Sequence, residues 1–126
     1  FKTLLNKNRN SGIIFGNDSF YNYKFNSNHK IEFKLITLAG NKPISAMCYF
    51  KDGTIAFTSN NEVYKLDPWK KEISLILSVP IQKIVAISVD DFGNYWLGAE
   101  NGKLIFVESK TGEQHINPDF FPLGIS

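Results

Sequence analysis

Asp90-Asp91-Phe92-Gly93-Asn94-Tyr95-Trp96-Leu97-Gly98-Ala99-Glu100-Asn101-Gly102 reads as a turn, a short strand and a second turn. The acidic pair before Gly93 is turn chemistry: Asp bonds nearby backbone, and Gly accepts positive φ without a Cβ clash. Tyr95-Trp96-Leu97 carries side chains that suit a pleated, half-buried surface. Asn101-Gly102 is a hairpin signal, and the expectation is a type I′ turn with positive φ at both central residues.

The same frame recurs twice upstream. Gly12-Ile13-Ile14-Phe15 and Gly53-Thr54-Ile55-Ala56-Phe57 align with Gly93-Asn94-Tyr95-Trp96-Leu97, which places the glycines 41 and 40 residues apart. A period near 40 belongs to propellers, with one four-stranded sheet, or blade, per repeat, and to some helical repeats as well. The content of each repeat decides between them.

In the second repeat, strands are expected over 44–50, 54–59, 62–66 and 72–78. Glu62-Val63-Tyr64-Lys65-Leu66 alternates polar and apolar, a period of two. Pro68 lacks the N–H that a ladder needs and marks a turn. The third repeat offers strands at 84–89, 95–98, 103–107 and 113–116, the last short and polar as an outer edge should be. The first offers 1–5, 13–16, 20–25 and 31–38. No segment is long enough for an amphipathic helix. The expected fold is therefore all-β: a β-propeller fragment of about three four-stranded antiparallel blades. The blades fall at 1–39, 43–80 and 84–117, with 118–126 as a connection to a further blade.

Composition narrows the function classes. The chain has 126 residues, 43% of them hydrophobic, with 11 Phe, so it can build a core. A net charge of +2 gives no ground for expecting a nucleic-acid partner or an anionic membrane surface. With one cysteine, Cys48, neither an intrachain disulfide nor a cysteine metal cluster can form. No run reaches the ~18 apolar residues of a membrane span, so no direct membrane contact is expected of this segment. The chain opens on Phe1 rather than Met, and it is expected to be a piece of a longer protein. Three blades alone would leave two apolar outer faces, so either further blades or a second chain are expected to cover them.

The 90–102 stretch closely resembles the two-component regulator propeller repeat. Asp90, Gly93, Trp96, Gly98 and Gly102 fall on that family's acidic, Gly, Trp, Gly and Gly positions. Tyr95 stands where an aliphatic residue is usual, and Ala99 where Thr is usual. The second repeat keeps Gly53 but has Phe50 at the acidic position and Ala56 at the Trp position; its Leu66-Asp67-Pro68 resembles the turn that follows the third strand. The first repeat keeps Gly12 and an aromatic at Phe15. The resemblance implies an extracytoplasmic, periplasmic sensor propeller of a bacterial hybrid two-component protein, of the kind found in gut Bacteroidetes. Such propellers commonly sense glycan fragments and signal through the membrane to a kinase. It also implies that Trp packs between blades and Gly permits the turns. No catalytic residue, metal or cofactor carries over.

The remaining constellations are weak as chemistry. Asp90-Asp91 could serve acid/base or Ca²⁺ work, but turn formation explains the pair better. His29 and His115 each lack a local cluster of ligands and are expected at the surface. Trp96 is expected in the core and Trp69, after Pro68, exposed. Phe120-Phe121-Pro122 is expected to pack against a neighbouring blade. Propeller geometry puts the loops between second and third strands, and those between blades, at one end. Ligand-binding candidates are therefore Asn60, Asn61, Glu100 and Asn101, whose polar groups can bond sugar hydroxyls. The reading is a non-catalytic sensor module for a small-molecule, possibly oligosaccharide, ligand. A WD-type protein-interaction scaffold is the alternative. A propeller lyase or lactonase would need a metal or His cluster near the channel.

Overall fold

The computed structural model describes residues 3–6, 10–16, 19–28, 30–38, 42–80 and 83–116, without the side chains of 3–6 and Leu38. Among these residues there are twelve strands and no helix. The first blade is β1 (Thr3–Asn6), β2 (Ser11–Phe15), β3 (Ser19–Phe25) and β4 (Ile31–Leu38). The second is β5 (Ile44–Tyr49), β6 (Ile55–Ser59), β7 (Glu62–Asp67) and β8 (Glu72–Ser78). The third is β9 (Ile84–Val89), β10 (Tyr95–Ala99), β11 (Leu104–Val107) and β12 (Gln114–Ile116). Each blade is a four-stranded antiparallel meander in which consecutive strands pair. This is the expected all-β propeller architecture of about three blades.

Turn chemistry sets the register. In the β5–β6 turn, Phe50 N–H donates to Thr54 O (2.8 Å) and Gly53 N–H to Phe50 O (3.1 Å). The β9–β10 turn repeats this at Asp90, Asn94 and Gly93, with both distances 3.0 Å. Gly53 and Gly93 sit at φ 86° and 83°, where an L side chain is strained. Gly12 does not share their role, because it lies inside β2 rather than in a turn. The second strands of the blades begin at Ser11, Ile55 and Tyr95, 44 and then 40 residues apart. The glycine alignment thus found the period but misplaced the frame of the first blade.

The Asn101-Gly102 turn also departs from expectation. Gly102 has φ 87°, whereas Asn101 is not among the positive-φ residues. Gly102 N–H donates to Ala99 O (3.0 Å) and Ala99 N–H to Lys103 O (2.8 Å). This is a three-residue loop with a glycine in the left-handed position, not a two-residue type I′ turn.

Alternation along the strands builds two cores, one at each blade interface. Between the first and second blades lie Ile13, Phe15, Phe20, Ile36, Ile44, Met47, Ile55, Phe57, Tyr64 and Leu66. Phe57 is fully buried there, its ring 4.8 Å from Phe20 and stacked at 5.3 Å on Tyr64. Between the second and third blades lie Val63, Val79, Ile84, Tyr95, Leu97, Ile105 and Val107. The pleat sends Ile55 and Phe57 to one interface and their neighbours Ala56 and Thr58 to the other side of β6. The second blade is therefore buried on both sides.

Polar stitches join the second and third blades along their inner strands. Ser45 Oγ donates to Ile84 O (2.7 Å) and pairs with Thr58 Oγ1 at 2.8 Å. Thr58 is fully buried, so its half-buried partner Ser45 satisfies a hydroxyl that water does not reach.

Candidate functional site

Antiparallel meanders put the β2–β3, β6–β7 and β10–β11 hairpins and the blade connections at one end of the sheets. Backbone bonds sew this end together. Asn60 O accepts from Ile84 N–H (2.7 Å), Asn61 O from Val79 N–H (2.9 Å), and Lys83 O from Glu100 N–H (2.9 Å). Val79 and Lys83, on either side of the β8–β9 connection, are thereby bonded to the two hairpins that contain the candidate residues.

The four candidates are placed differently. Asn61 is half-buried, and its Nδ2 donates to Val79 O at 2.9 Å, so its side chain serves the connection. The Asn101 Oδ1 accepts from Lys103 N–H (3.1 Å), a local turn bond. Asn60 is exposed at φ 53°, a conformation Asn tolerates better than most residues. Glu100 is exposed as well. Asn60 alone of the four lines a cleft of about 400 Å³, together with Phe15, Pro43, Ile44, Ser45, Lys83 and Val85. All three blades contribute to it. Asn60 amide and Lys83 ammonium groups supply polar contacts, and Phe15, Ile44 and Val85 supply apolar wall. Ser45 and Lys83 carry no signal in the sequence, because nothing in a strand alternation or a short connection marks them.

At the opposite end, a smaller cleft of about 260 Å³ opens between the first and second blades. Tyr23, Lys24, Tyr49, Gly53 and Trp69 are among its walls. Trp69 is 64% exposed, as expected. Asp67 Oδ1 accepts from Trp69 N–H and Lys70 N–H, each at 3.0 Å, which sets the turn. A Cβ on Gly53 would lie 3.0 Å from the indole, so the glycine also makes room for the ring. Burial pushes the Tyr49 hydroxyl up to about 12, with Tyr23 adding to the effect.

Of the acidic pair, Asp90 is structural. Asp90 Oδ1 accepts from Phe92 and Asn94 N–H at 2.9 Å each, and Oδ2 accepts from Trp96 Nε1 at 3.3 Å. Desolvation alone would raise the Asp90 pKa, but the bonds from Asn94, Trp96 and Phe92 outweigh it and hold the carboxyl below its ordinary value. Asp91 is exposed, with Lys51 Nζ 3.7 Å away. The Asp90–Trp96 bond gives a physical reason for the two residues to occur together. Where the second blade has Phe50 instead of Asp, it has Ala56 instead of Trp. Trp96 itself is half-buried, not fully enclosed. It lies across from Phe106 in the register, with ring centroids 4.5 Å apart.

Burial pushes the Cys48 thiol up to about 11, against a backbone bond with Val89 that lowers it, so this residue is a poor nucleophile. His115 departs from the expectation of an isolated surface histidine: it is half-buried on β12 beside Glu108 and Glu113, because the β11–β12 hairpin folds Glu108 back against it. His29, the 117–126 stretch with Phe120, and the connections around Asn41 and Gln82 lie outside the described residues.

Three blades with this meander order, packed face to face and with the inner strands β5 and β9 adjacent, define a β-propeller segment. The solved structures agree. The crystal structure of the WD40 β-propeller domain of Doa1 matches at a TM-score of 0.66 and 7% identity. The match covers 85% of this chain and 36% of that one, so this chain spans about a third of its length. At that identity the likeness establishes the fold alone. No family model matches the chain, and no curated protein does.

Proposed function

We propose that this chain is a non-catalytic sensing segment of a periplasmic propeller in a bacterial hybrid two-component regulator. Its ligand is a small glycan-derived molecule held in the cleft beside Asn60. The observation that carries this reading is that one cleft draws Phe15, Asn60 and Val85 from three blades, with Lys83 from the connection before β9, at the end where hairpins and connections gather. A ligand that touches several blades at once can bias their packing, which is what a sensor requires. The Asp90, Gly93, Trp96, Gly98 and Gly102 pattern supports the regulator assignment.

The test is calorimetric titration with a panel of neutral and acidic oligosaccharides. Asn60→Gly keeps the left-handed backbone and removes the amide, and Lys83→Ala removes the cation. Both should abolish binding while leaving the melting temperature of the free chain unchanged. Binding that survives both substitutions, or no binding by any glycan, would overturn the assignment.

One observation favours a macromolecular contact in addition. Ile31, Phe33 and Leu35 alternate on β4 and are 47%, 49% and 46% exposed, with Phe25 beside them at 41%. A row of that kind calls for cover. In the proposed assembly, further blades or a second chain supply it. Light scattering on the 126-residue chain should show self-association, and Phe33→Lys should reduce it; a monodisperse monomer at high concentration would count against this contact.

A further inference from the structure

Glu108, Glu113 and His115 bracket the turn between β11 and β12 and bring three ligand atoms within 4.8 Å of one another. His115 Nε2 lies 4.0 Å from Glu108 Oε1 and 3.9 Å from Glu113 Oε2. Both separations exceed a direct hydrogen bond. They exceed by roughly half an ångström the spacing of about 3.4 Å between donors that each sit 2.0–2.2 Å from a tetrahedral ion, and the three donors spread to 4.8 Å, so the carboxylates must draw inward to bind. We propose that this triad is a binding site for a divalent transition-metal ion of the zinc type.

Three features favour the site over a chance gathering of surface charge. The donor set is mixed, and one imidazole with two carboxylates suits borderline ions such as zinc better than Ca²⁺ or Mg²⁺, which take oxygen. All three ligands belong to one hairpin, which is closed by Glu108 N–H to Glu113 O (2.9 Å) and Gly112 N–H to Glu108 O (2.8 Å). Ordering them therefore costs little chain entropy. The ligands are also oriented from behind. Thr111 Oγ1 donates to Glu108 Oε2 at 3.1 Å and leaves Oε1 toward the imidazole. The His115 ring lies along that of Phe106, 6.0 Å between centroids and 33° apart. Glu113 is the most exposed of the three at 63%, so its side chain is the one that swings to close the remaining gap. A water or an outside ligand completes the coordination.

Bound metal would clamp β12, a strand of only three residues, to the end of β11. The test is titration of the 126-residue chain with zinc chloride, in a His29→Gln background that removes the other histidine. Calorimetry should show saturable uptake of one ion per chain, and NMR should show the His115 imidazole shifting with it. Amide exchange in β12 should slow. His115→Ala and Glu113→Gln should each remove the uptake, and Thr111→Val should weaken it by about 10–100-fold as an orienting contact does. Glu113 is exposed, so its substitution tests the site even if His115→Ala disturbs the fold. No saturable uptake, or uptake indifferent to Glu113→Gln and His115→Ala, would overturn the proposal.

Discussion

Ser45→Ala tests the link between the second and third blades at a single hydroxyl. Ser45 Oγ carries one proton, and its shortest contact, 2.7 Å to Ile84 O, takes it. Thr58 Oγ1 then donates to Ser45 Oγ at 2.8 Å. Alanine removes the first bond, worth about 0.5–1.5 kcal/mol net. It also strands the hydroxyl of Thr58, which is fully buried; that desolvation costs about 1–3 kcal/mol. The sum is about 1.5–4.5 kcal/mol, a large share of a typical domain's stability. Thr58→Val alone should cost about 1 kcal/mol, because Ser45 still reaches Ile84 O. In the double variant no hydroxyl is left stranded, so its cost should fall below the sum of the singles by about 1 kcal/mol or more. Urea unfolding followed by tryptophan fluorescence reads all three. A Ser45→Ala cost within about 0.5 kcal/mol of zero would refute the bridge, and so would strict additivity in the double variant.

Phe57→Ala should destabilise by about 3–5 kcal/mol, the cost of an aromatic cavity in a closed core. Trp96→Ala, at a half-buried ring, should cost clearly less when both variants are unfolded in urea and followed by far-UV circular dichroism, and the reverse order would contradict the packing. With its thiol pushed up to about 11, Cys48 should react with iodoacetamide at pH 8 on the order of 100-fold more slowly than in urea-unfolded chain; equal rates would contradict its burial. The Asp52 carboxyl is held low first by the Thr54 hydroxyl and then by the Thr54 N–H, and Asp90 is held low as well. A depressed folded value means that the stability from each is present above its unfolded pKa of about 3.9 and is lost as pH falls through the lower folded one. Asp52→Asn and Asp90→Asn should therefore flatten the loss of thermal stability below about pH 4, and an unchanged acid limb in both would refute the assignment.

Strand content was legible because blades are local. β4, β8 and β9 occur over the residues that alternation and turn chemistry predict, and Asp90, Gly93 and Gly102 mark turns whose hydrogen bonds close within five residues. The 40-residue period was legible too, although Gly12 misled the first blade's frame: a glycine inside a strand looks the same in sequence as one in a turn. The candidate site was legible only as an end of the fold. Asn60 and Asn61 lie in the β6–β7 hairpin and Glu100 and Asn101 in the β10–β11 hairpin, as turn chemistry predicts. Local pattern could not show that Asn61 and Asn101 spend their side chains on the backbone while Asn60 faces a cleft.

The sequence by itself determined which segments are strands, where they turn, and that the units repeat, since each depends on interactions a few residues apart. Only the tertiary structure decided what meets across blades. Ser45 reaches Ile84 from 39 residues away, Phe57 is wedged between Phe20 and Tyr64, and Phe15, Asn60 and Lys83 converge on one cleft. Those contacts depend on how one twisted sheet packs against the next, and no local pattern along the chain encodes that.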